Sequence, residues 1–417
     1  MSASRRVVVV DSYAPTKALP DQFLKAGAEL VRVQTTPETP LVYRGEFTLN
    51  DYVDNFVHDG DTARLAEKLA GYDPVAVVPA GETGVELADE LSSRLGVLTN
   101  GVELSPARRD KYAMIETIRR AGLAAARQIQ PASEQELVEW HRAAGGRIVV
   151  KPLRGAGGSG VHFCDTPEES AAAYRELIGA VNLLSARNTA VVAQEYLRGT
   201  EYMVNTVSRD GRHHVTDILR TTRIAANGMI DLCDGLRLVR RRGEVQDQLA
   251  EYAARVLDAL GIQHGPGHLE IKITAAGPVL VEMGARICGG NLPQYVQTAI
   301  GESQLDWTVD AYLDPEKFHS RAGGDYPAGR HFAAVALISP VEGVLRGYRH
   351  MGRIEQLESF NDLRVFVRPG DRIMPTVDDM GAPALVTLMH DDEETVLRDT
   401  GTIHYLDGEG FYELAEA

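Results

Sequence analysis

The sequence contains little cysteine: Cys164, Cys233 and Cys288 are the three in a chain of 417 residues. They lie far apart, are odd in number and form no Cys-x-x-Cys pair. This pattern excludes a disulfide framework and a zinc site of the usual spacing. We therefore predict reduced thiols and a cytoplasmic location.

Long apolar runs are absent as well. The run after Arg5 and Arg6 consists of four valines and ends at Asp11. It is too short for a signal peptide and is typical of a buried strand. No segment approaches the roughly 20 apolar residues of a membrane span. The apolar and charged fractions, 44% and 24%, are those of an ordinary globular protein.

Basic residues are outnumbered, with 43 lysines and arginines against 59 aspartates and glutamates, a net charge of −16. An acidic surface repels nucleic acid backbones and anionic membranes. We therefore predict small molecules as partners, with no nucleic acid and no membrane.

Two well-known phosphate-binding motifs are also missing, the GxxxxGK[ST] P-loop and a GxGxxG that opens a helix. The sequence instead has KPLRGAGGSG from Lys151 to Gly160, in which the lysine precedes the glycines and the apparent strand VHF follows them. Such a hairpin can close over a triphosphate, with backbone N–H groups and Ser159 as donors. A flexible turn is the alternative.

The first hundred residues alternate short β-branched runs with helical stretches, which predicts a parallel sheet with crossover helices. Asp11 and the PAGE segment that ends at Glu82 follow predicted strands. Because ligands bind beyond the carboxyl ends of such strands, this part is expected to form one wall of a site. Glu82 is a candidate to bind a substrate ammonium group, with an N-cap or structural role as the alternative.

Two glutamates occupy the predicted hairpin HLEIKIT…PVLVEM, whose turn we expect at Ala276 to Pro278. Glu270 and Glu282 lie in otherwise apolar strands, where an unpaired carboxylate is costly to bury. Side chains on adjacent antiparallel strands can face each other, and two close carboxylates suit Mg²⁺ bound together with phosphates. The alternative is an exposed pair accompanied by Lys272.

Arg286 follows four residues after Glu282, within GARICGGNLP. Its guanidinium matches a carboxylate or a phosphoryl group bidentately, and Gly289 and Gly290 leave room beside it for a substrate. The alternative is a helix-capping salt bridge. Lys111 lies early in the helix predicted after Ser105 and Pro106 and is, by itself, a solvated lysine.

These elements occur in the order of the ATP-grasp superfamily, which the chain resembles from about Ser105 to Pro315. The resemblance implies an α/β (α+β) ATP-grasp fold, with an N-terminal Rossmann-like parallel domain, two α+β subdomains that grip ATP and a β-rich C-terminal subdomain. The N-terminal domain is expected over 1–104 and the lid subdomain, with the glycine-rich loop 154–160, over 105–190. The large subdomain with the metal site is expected over 191–320, and the C-terminal subdomain over 321–417.

The resemblance also implies a role for each candidate residue. The ATP phosphates would contact Lys111 and Lys151, and a lid formed by Gly157, Gly158 and Ser159 would cover them. Adenine would lie against Gln194, Glu195, Tyr196 and Leu197, and the ribose against Glu201. Mg²⁺, or Mn²⁺ in its place, would be held by Glu270 and Glu282. Catalysis would rest on Lys151 and Arg286, and the substrate would contact Glu82, Arg286, Gly289 and Gly290.

Within the superfamily, the phrases RRDKYAM, GHLEIKIT and VEMGARICGGNLPQ look most like the L-amino acid ligases. That group activates an amino acid carboxylate as an acyl phosphate and joins it to an amine, releasing ADP and phosphate; a homodimer is expected from the resemblance. Many superfamily members have asparagine where this chain has Gly284, which leaves the number of metal ligands open. The alternatives are a purine- or biotin-type enzyme and a nucleotide-binding regulatory protein without catalysis.

Overall fold

The computed structural model describes residues 5–415. Its first part is a sheet with strand order β3-β2-β1-β4, all parallel, as the sequence predicts. Its elements are β1 (Arg6–Val10), α1 (Ala18–Lys25), β2 (Glu29–Gln34), β3 (Tyr52–Val57), α2 (Thr62–Ala70), β4 (Pro74–Pro79) and α3 (Val85–Leu95).

The valine run of β1 is buried on both faces of this sheet. Val7 and Val9 pack against α1, whereas Val8 and Val10 pack against α2 and α3. A strand covered on both faces has no polar side, which explains why its apolar residues are continuous.

A second, four-stranded sheet has the order β5-β8-β6-β7 and carries two helices on one face. We call this unit the lid subdomain. The predicted hairpin around the glycine-rich loop is confirmed, because β6 and β7 pair antiparallel. The elements are α4 (Lys111–Arg120), β5 (Gln128–Ile129), α5 (Glu134–Ala144), β6 (Ile148–Pro152), β7 (His162–Cys164), α6 (Pro167–Leu177) and β8 (Val191–Glu195).

The central sheet has eight strands in the order β13-β12-β9-β10-β11-β14-β18-β16, and its neighbouring strands pair antiparallel. The elements of its first half are β9 (Thr200–Arg209), β10 (Arg212–Ala226), β11 (Met229–Leu238), α7 (Glu244–Ala259), β12 (Gly265–Thr274), β13 (Gly277–Gly284), α8 (Leu292–Ile300), α9 (Gln304–Leu313) and α10 (Pro315–Arg321).

Two predicted turns differ from the structure. The turn between β12 and β13 lies at residues 275–276, with Thr274 opposite Gly277, so it comes earlier than expected. The sequence also predicts a tight turn between strands at Arg198 and Gly199, but this segment connects two different sheets instead of closing a hairpin. Gly199 is required there because a Cβ would lie 2.1 Å from the carbonyl oxygen of Ile273.

The C-terminal segment is β-rich, as expected, and its strands divide between two sheets, because β17, β15 and β19 form a three-stranded sheet of their own. Three of its strands, β14, β18 and β16, extend the central sheet, and a helix of 14 residues, α12, packs over them. Its elements are β14 (His331–Ala336), β15 (Gly343–Tyr348), α11 (Met351–Ile354), β16 (Phe360–Val365), β17 (Arg372–Ile373), β18 (Ala384–His390), α12 (Glu393–Leu406) and β19 (Tyr412–Leu414). Across residues 5–415, no helix is both long enough and apolar enough to span a membrane.

Arg108 joins the N-terminal domain to the central sheet. Its side chain is 1% exposed and donates to Asp89 Oδ2 of α3 at 2.8 Å. It also donates to the carbonyl oxygens of Leu260 and Gly261, which follow α7, at 3.0 and 3.1 Å. This guanidinium therefore satisfies acceptors on both sides of the domain boundary.

Replacing Arg108 with methionine should lower the stability of the protein strongly. The side chain of similar length would leave Asp89 buried without its cation, which costs on the order of 3–5 kcal/mol. The measurement is the midpoint of thermal and urea unfolding. Arg94→Met is the control, because the exposed Arg94–Glu90 pair is worth at most about 1 kcal/mol; equal shifts in the two variants would contradict the assignment.

Candidate active site

A cleft of about 1200 Å³, including the part open to solvent, lies between the lid subdomain and the central sheet. It is lined by twelve of the sixteen residues predicted from the sequence: Lys111, Lys151, Gly157, Gly158, Ser159, Gln194, Glu195, Tyr196, Leu197, Glu201, Glu270 and Glu282. The other four, Glu82, Arg286, Gly289 and Gly290, lie outside the lining of this cleft.

Glu270 and Glu282 face each other across the β12–β13 ladder, as predicted. Lys111 Nζ lies 3.0 Å from Glu282 Oε2 and 3.5 Å from the carbonyl oxygen of Gly155. Burial alone would raise the pKa of Glu270, but His268, whose Nε2 lies 3.7 Å from Oε1, and the nearby cations lower it to about 2. Glu270 is therefore ionised at neutral pH.

Lys151 is the penultimate residue of β6 and is 4% exposed. Burial is the largest cause that lowers its pKa to about 8, and Lys111 acts in the same direction, whereas Glu282 partly offsets the shift. An ammonium group this close to losing its proton gains from an anionic ligand, because the ligand replaces the lost hydration.

The glycine-rich loop is built around left-handed backbone conformations. Gly157, Gly158 and Gly160 have φ angles of 64°, 70° and 72°, which disfavour residues with a Cβ. The loop also contacts the C-terminal segment, since a Cβ at Gly157 would lie 2.8 Å from Met380 Cγ. This contact brings a distant segment to the edge of the cleft.

The predicted adenine segment begins with residues that are already held in place. Glu195 accepts from the backbone N–H and the Nε of Arg127 at 2.8 and 2.9 Å. Gln194 Nε2 donates to Gln128 at 2.9 Å. The Tyr196 ring contacts the Lys272 ammonium at 5.1 Å from its centroid. Side chains bound in this way give the cleft wall a fixed shape.

Glu201 is 4% exposed and belongs to an ionic cluster that the sequence reasoning did not find. Arg223 Nη2 donates to its Oε1 at 2.6 Å, and Lys272 Nζ lies 3.6 Å from its Oε2. Lys272 also donates to Asp231 at 3.0 Å, so it does not accompany the Glu270–Glu282 pair. Arg223 and Asp231 carry no local signal in the sequence, because each is one of many charged residues on long strands.

Asp379 is another contributor that the sequence reasoning missed. Its Oδ1 accepts from the backbone N–H of Cys233 at 3.1 Å, and its Oδ2 lies 3.8 Å from Arg223 Nη1. Val377 and Asp378 line the cleft beside it. The only sequence signal is the acidic turn VDDMG, which is also typical of an ordinary surface loop.

Glu82 and Arg286 form a second cluster together with Arg109. Arg286 Nε donates to Glu82 Oε2 at 2.9 Å, and Arg109 Nη1 donates to Glu82 Oε1 at 2.8 Å. The side chain of Glu82 caps no helix, and Arg286 pairs across a domain boundary instead of capping one. Two guanidinium groups on one carboxylate leave a net positive charge for an anionic substrate.

Gly284 now has a structural explanation. A Cβ at this position would lie 3.1 Å from Glu82 Oε2 and 3.3 Å from Arg286 Cζ. A larger residue would therefore disturb the Glu82–Arg286 pair. Gly289 and Gly290 are exposed in the loop between β13 and α8. A Cβ added to either residue would have no atom within 4 Å.

The donor set fits a divalent metal that shares its coordination with phosphates. Among residues 5–415, no group of three His, Cys, Asp or Glu side chains could hold a metal ion by itself. Two carboxylates beside two lysines suit Mg²⁺, which usually binds through one or two carboxylates plus phosphates and water.

Comparison with known proteins identifies the class. A sequence profile of the ATP-grasp domain matches residues 145–294. The fold matches the crystal structure of an L-amino acid ligase from Bacillus licheniformis with a TM-score of 0.75 and 16% identity, covering 100% of both chains. Residues 145–294 thus belong to an ATP-grasp domain, a class of domain that uses ATP with a divalent metal ion.

Curated relatives narrow this class. The chain is 28% identical to dapdiamide A synthase of Enterobacter agglomerans over 414 aligned residues. The alignment covers 98% of this chain and 97% of that protein. It is 25% identical over 247 residues to the L-arginine-specific L-amino acid ligase of Bacillus subtilis, covering 57% and 58%. These similarities confirm the prediction of an ATP-dependent, ADP-forming ligase that makes an amide bond.

Nucleotide affinity should fall as the pH rises above 8. Lys151 with a pKa of about 8 binds phosphates in its protonated form, and phosphates are fully ionised above their second pKa of about 6. The expected loss is at most about tenfold per pH unit beyond the pKa. Titration calorimetry with ATP between pH 7.5 and 9.5 measures it.

Lys151→Met supplies the control for this pH dependence. The variant has no titrating ammonium group at this position, so it should bind ATP weakly and with the same affinity across the range. A wild-type affinity that does not change between pH 7.5 and 9.5 would remove Lys151 from the phosphate site.

Proposed function

We propose that the protein activates the carboxylate of an amino acid with ATP and couples it to the amino group of a second amino acid. The products are a dipeptide, ADP and phosphate. The observation that carries the proposal is the spacing of two residues around the end of β13: Glu282 lines the cleft, and Arg286, two residues beyond the strand, is paired with Glu82. The phosphoryl group and the acid would therefore meet beside Gly284.

The nucleotide would lie along the cleft. We assign its phosphates to Lys111, Lys151 and the loop amides of Gly157, Gly158 and Ser159, because the cations and the left-handed glycines are on one side of the cleft. The adenine would contact the segment 194–197, and the ribose would lie near Glu201, whose direction is held by Arg223 and Lys272.

Glu270 and Glu282 would hold Mg²⁺, with Mn²⁺ as a substitute. A divalent ion held there would supply positive charge against the phosphates, and Lys111, released from Glu282, would pair with the nucleotide. The lysines then spread the charge that develops on the transferring phosphoryl group. The carboxylate oxygen of the acid attacks the γ-phosphorus and releases ADP, and the amine displaces phosphate from the acyl carbon.

Arg286 would stabilise the oxyanion that forms when the amine attacks. Its Nε is bound to Glu82 and its Nη1 donates to the carbonyl oxygen of Ile287 at 2.9 Å, so the guanidinium is fixed in direction before substrate binds. An acyl phosphate is lost to hydrolysis in open water, and the glycine-rich loop together with the segment 377–380 would exclude water from it.

The remaining assignments rest on the resemblance and on the position of the charges. Glu82 would bind the ammonium group of the first amino acid while remaining paired with Arg109, and Gly289 and Gly290 would leave space for a substrate side chain. We further propose a cytoplasmic homodimer. Size-exclusion chromatography with light scattering tests the dimer independently of activity.

Glu282→Gln should abolish ADP formation without unfolding the protein. The amide keeps the shape of the side chain but removes one metal-binding carboxylate, and the expected loss is at least about 100-fold in kcat/KM. ADP release is measured with a coupled assay, and the fold by circular dichroism. Glu393→Gln, which alters an exposed ion pair with Arg237, is the control; unchanged turnover in Glu282→Gln would refute the metal assignment.

A substrate screen tests the reaction itself. When supplied with ATP and a suitable pair of amino acids, the protein should release ADP. The mass of the product should equal the summed masses of the two amino acids minus one water. ADP release that needs bicarbonate in place of a second amino acid would instead support a carboxylase of the purine or biotin type. No ADP release with any pair would refute the proposed reaction.

A further inference from the structure

Three buried polar side chains form a row across the central sheet. The strand registers place Asp217 of β10 opposite Asn205 of β9, and Asn205 opposite His268 of β12. On its other side, His268 lies opposite Gly284 of β13. Each of the three polar side chains is at most 6% exposed. The row therefore crosses the sheet toward the metal-binding end of the cleft.

The hydrogen bonds of this row have a defined direction. Asn205 Nδ2 donates to Asp217 Oδ1 at 2.5 Å, and Thr216 Oγ1 donates to Asp217 Oδ2 at 2.9 Å. The amide nitrogen of Asn205 thus faces the carboxylate, and its oxygen faces His268 Nδ1 at 2.8 Å. Since that oxygen can only accept, His268 Nδ1 carries a hydrogen and donates it.

The orientation of the imidazole ring follows from this bond. With Nδ1 bound to Asn205, Nε2 lies 3.7 Å from Glu270 Oε1. His268 and Glu270 are two residues apart on β12 and so share one face of the sheet. The row thus ends at one of the two carboxylates assigned to the metal.

Burial of the Asp217 carboxylate costs folding free energy. Within residues 5–415 its carboxylate has hydrogen bonds from Asn205 and Thr216 but forms no ion pair. A buried carboxylate without a cation destabilises a fold unless its hydrogen bonds compensate. A leucine would fill the same space at lower cost, so stability alone does not account for an aspartate here.

We propose that Asp217, Asn205 and His268 are positioning residues that hold Glu270 in the orientation required for metal binding. This inference rests on the proposed function, in which Glu270 is a metal ligand. The partners of metal ligands commonly change metal affinity or activity by about 10- to 100-fold when they are replaced. Here the effect would pass through two strands before it reaches the metal.

Two substitutions at His268 separate positioning from a structural role. The amide nitrogen of glutamine reaches about as far as Nε2, so His268→Gln keeps a donor for Glu270 and loses the bond to Asn205. The amide of asparagine reaches about as far as Nδ1, so His268→Asn keeps the bond to Asn205 and loses Glu270. The readout is Mn²⁺ affinity in the presence of ADP, measured from free Mn²⁺ by electron paramagnetic resonance.

Positioning of Glu270 predicts that His268→Asn binds Mn²⁺ at least about tenfold more weakly than wild type, and that His268→Gln stays within about threefold of wild type. A merely structural role predicts the reverse order, because only His268→Asn preserves the contact within the row. Equal affinities in all three proteins, or the reverse order, would overturn the proposal.

Asn205→Ala extends the test to the middle of the row and serves if a His268 variant does not fold. In the wild-type background it should weaken Mn²⁺ binding severalfold, whereas in His268→Gln it should have no further effect, since the bond is already lost. Equal effects in both backgrounds would refute coupling through His268.

Thr206→Val is the matched control. Thr206 is the next residue on β9, is 1% exposed and donates to the carbonyl oxygen of Gly267 at 3.3 Å, on the opposite face of the strand. It should lower the unfolding midpoint without changing Mn²⁺ affinity. Because Mn²⁺ binding needs no amino acid substrate, failure of the proposed ligation reaction leaves this test interpretable, and the substrate screen is independent of it.

Discussion

The candidate site depends on the antiparallel pairing of three strands, β9, β12 and β13. Backbone hydrogen bonds fix their register, and because side chains alternate between the two faces, a shift of one residue would turn every side chain to the opposite face. In this register Glu270 lies opposite both Met203 and Glu282. The metal-binding pair, the glutamate near the proposed ribose and the row that ends at His268 all follow from it.

Charge compensation determines how the other parts attach to this sheet. Lys111 pairs with Glu282, Arg223 with Glu201, and Arg286 with Glu82. The Lys111–Glu282 and Arg286–Glu82 pairs join segments that are remote in the chain, whereas the Arg223–Glu201 pair joins the neighbouring strands β9 and β10. Each pair is at least partly buried, where an unpaired charge would be costly. The same charges that bind a nucleotide and an acid in the proposed reaction thus also fix the shape of the cleft.

Much of the local structure could be predicted from the sequence, because periodicity and glycine positions are local signals. The parallel N-terminal sheet, the hairpin around the glycine-rich loop and the Glu270–Glu282 pair follow from such patterns. Strand β3 was not predicted, since Asp54 and Asn55 interrupt its apolar pattern, and both residue types disfavour strands. The sequence predicts a hairpin turn at Gly199 because a tight glycine turn has the same sequence pattern whether it joins neighbouring strands or strands of different sheets.

The sequence by itself determined the chemistry of the candidate site: two lysines, two strand glutamates, an arginine and a loop of glycines with left-handed conformations. Only the tertiary structure decided which of these residues meet. Glu82 and Arg286 are 204 positions apart, and Met380 reaches Gly157 from a segment whose sequence resembles a surface turn. Such contacts depend on the order of strands in the sheet and on how domains pack, and neither leaves a periodic signal along the chain.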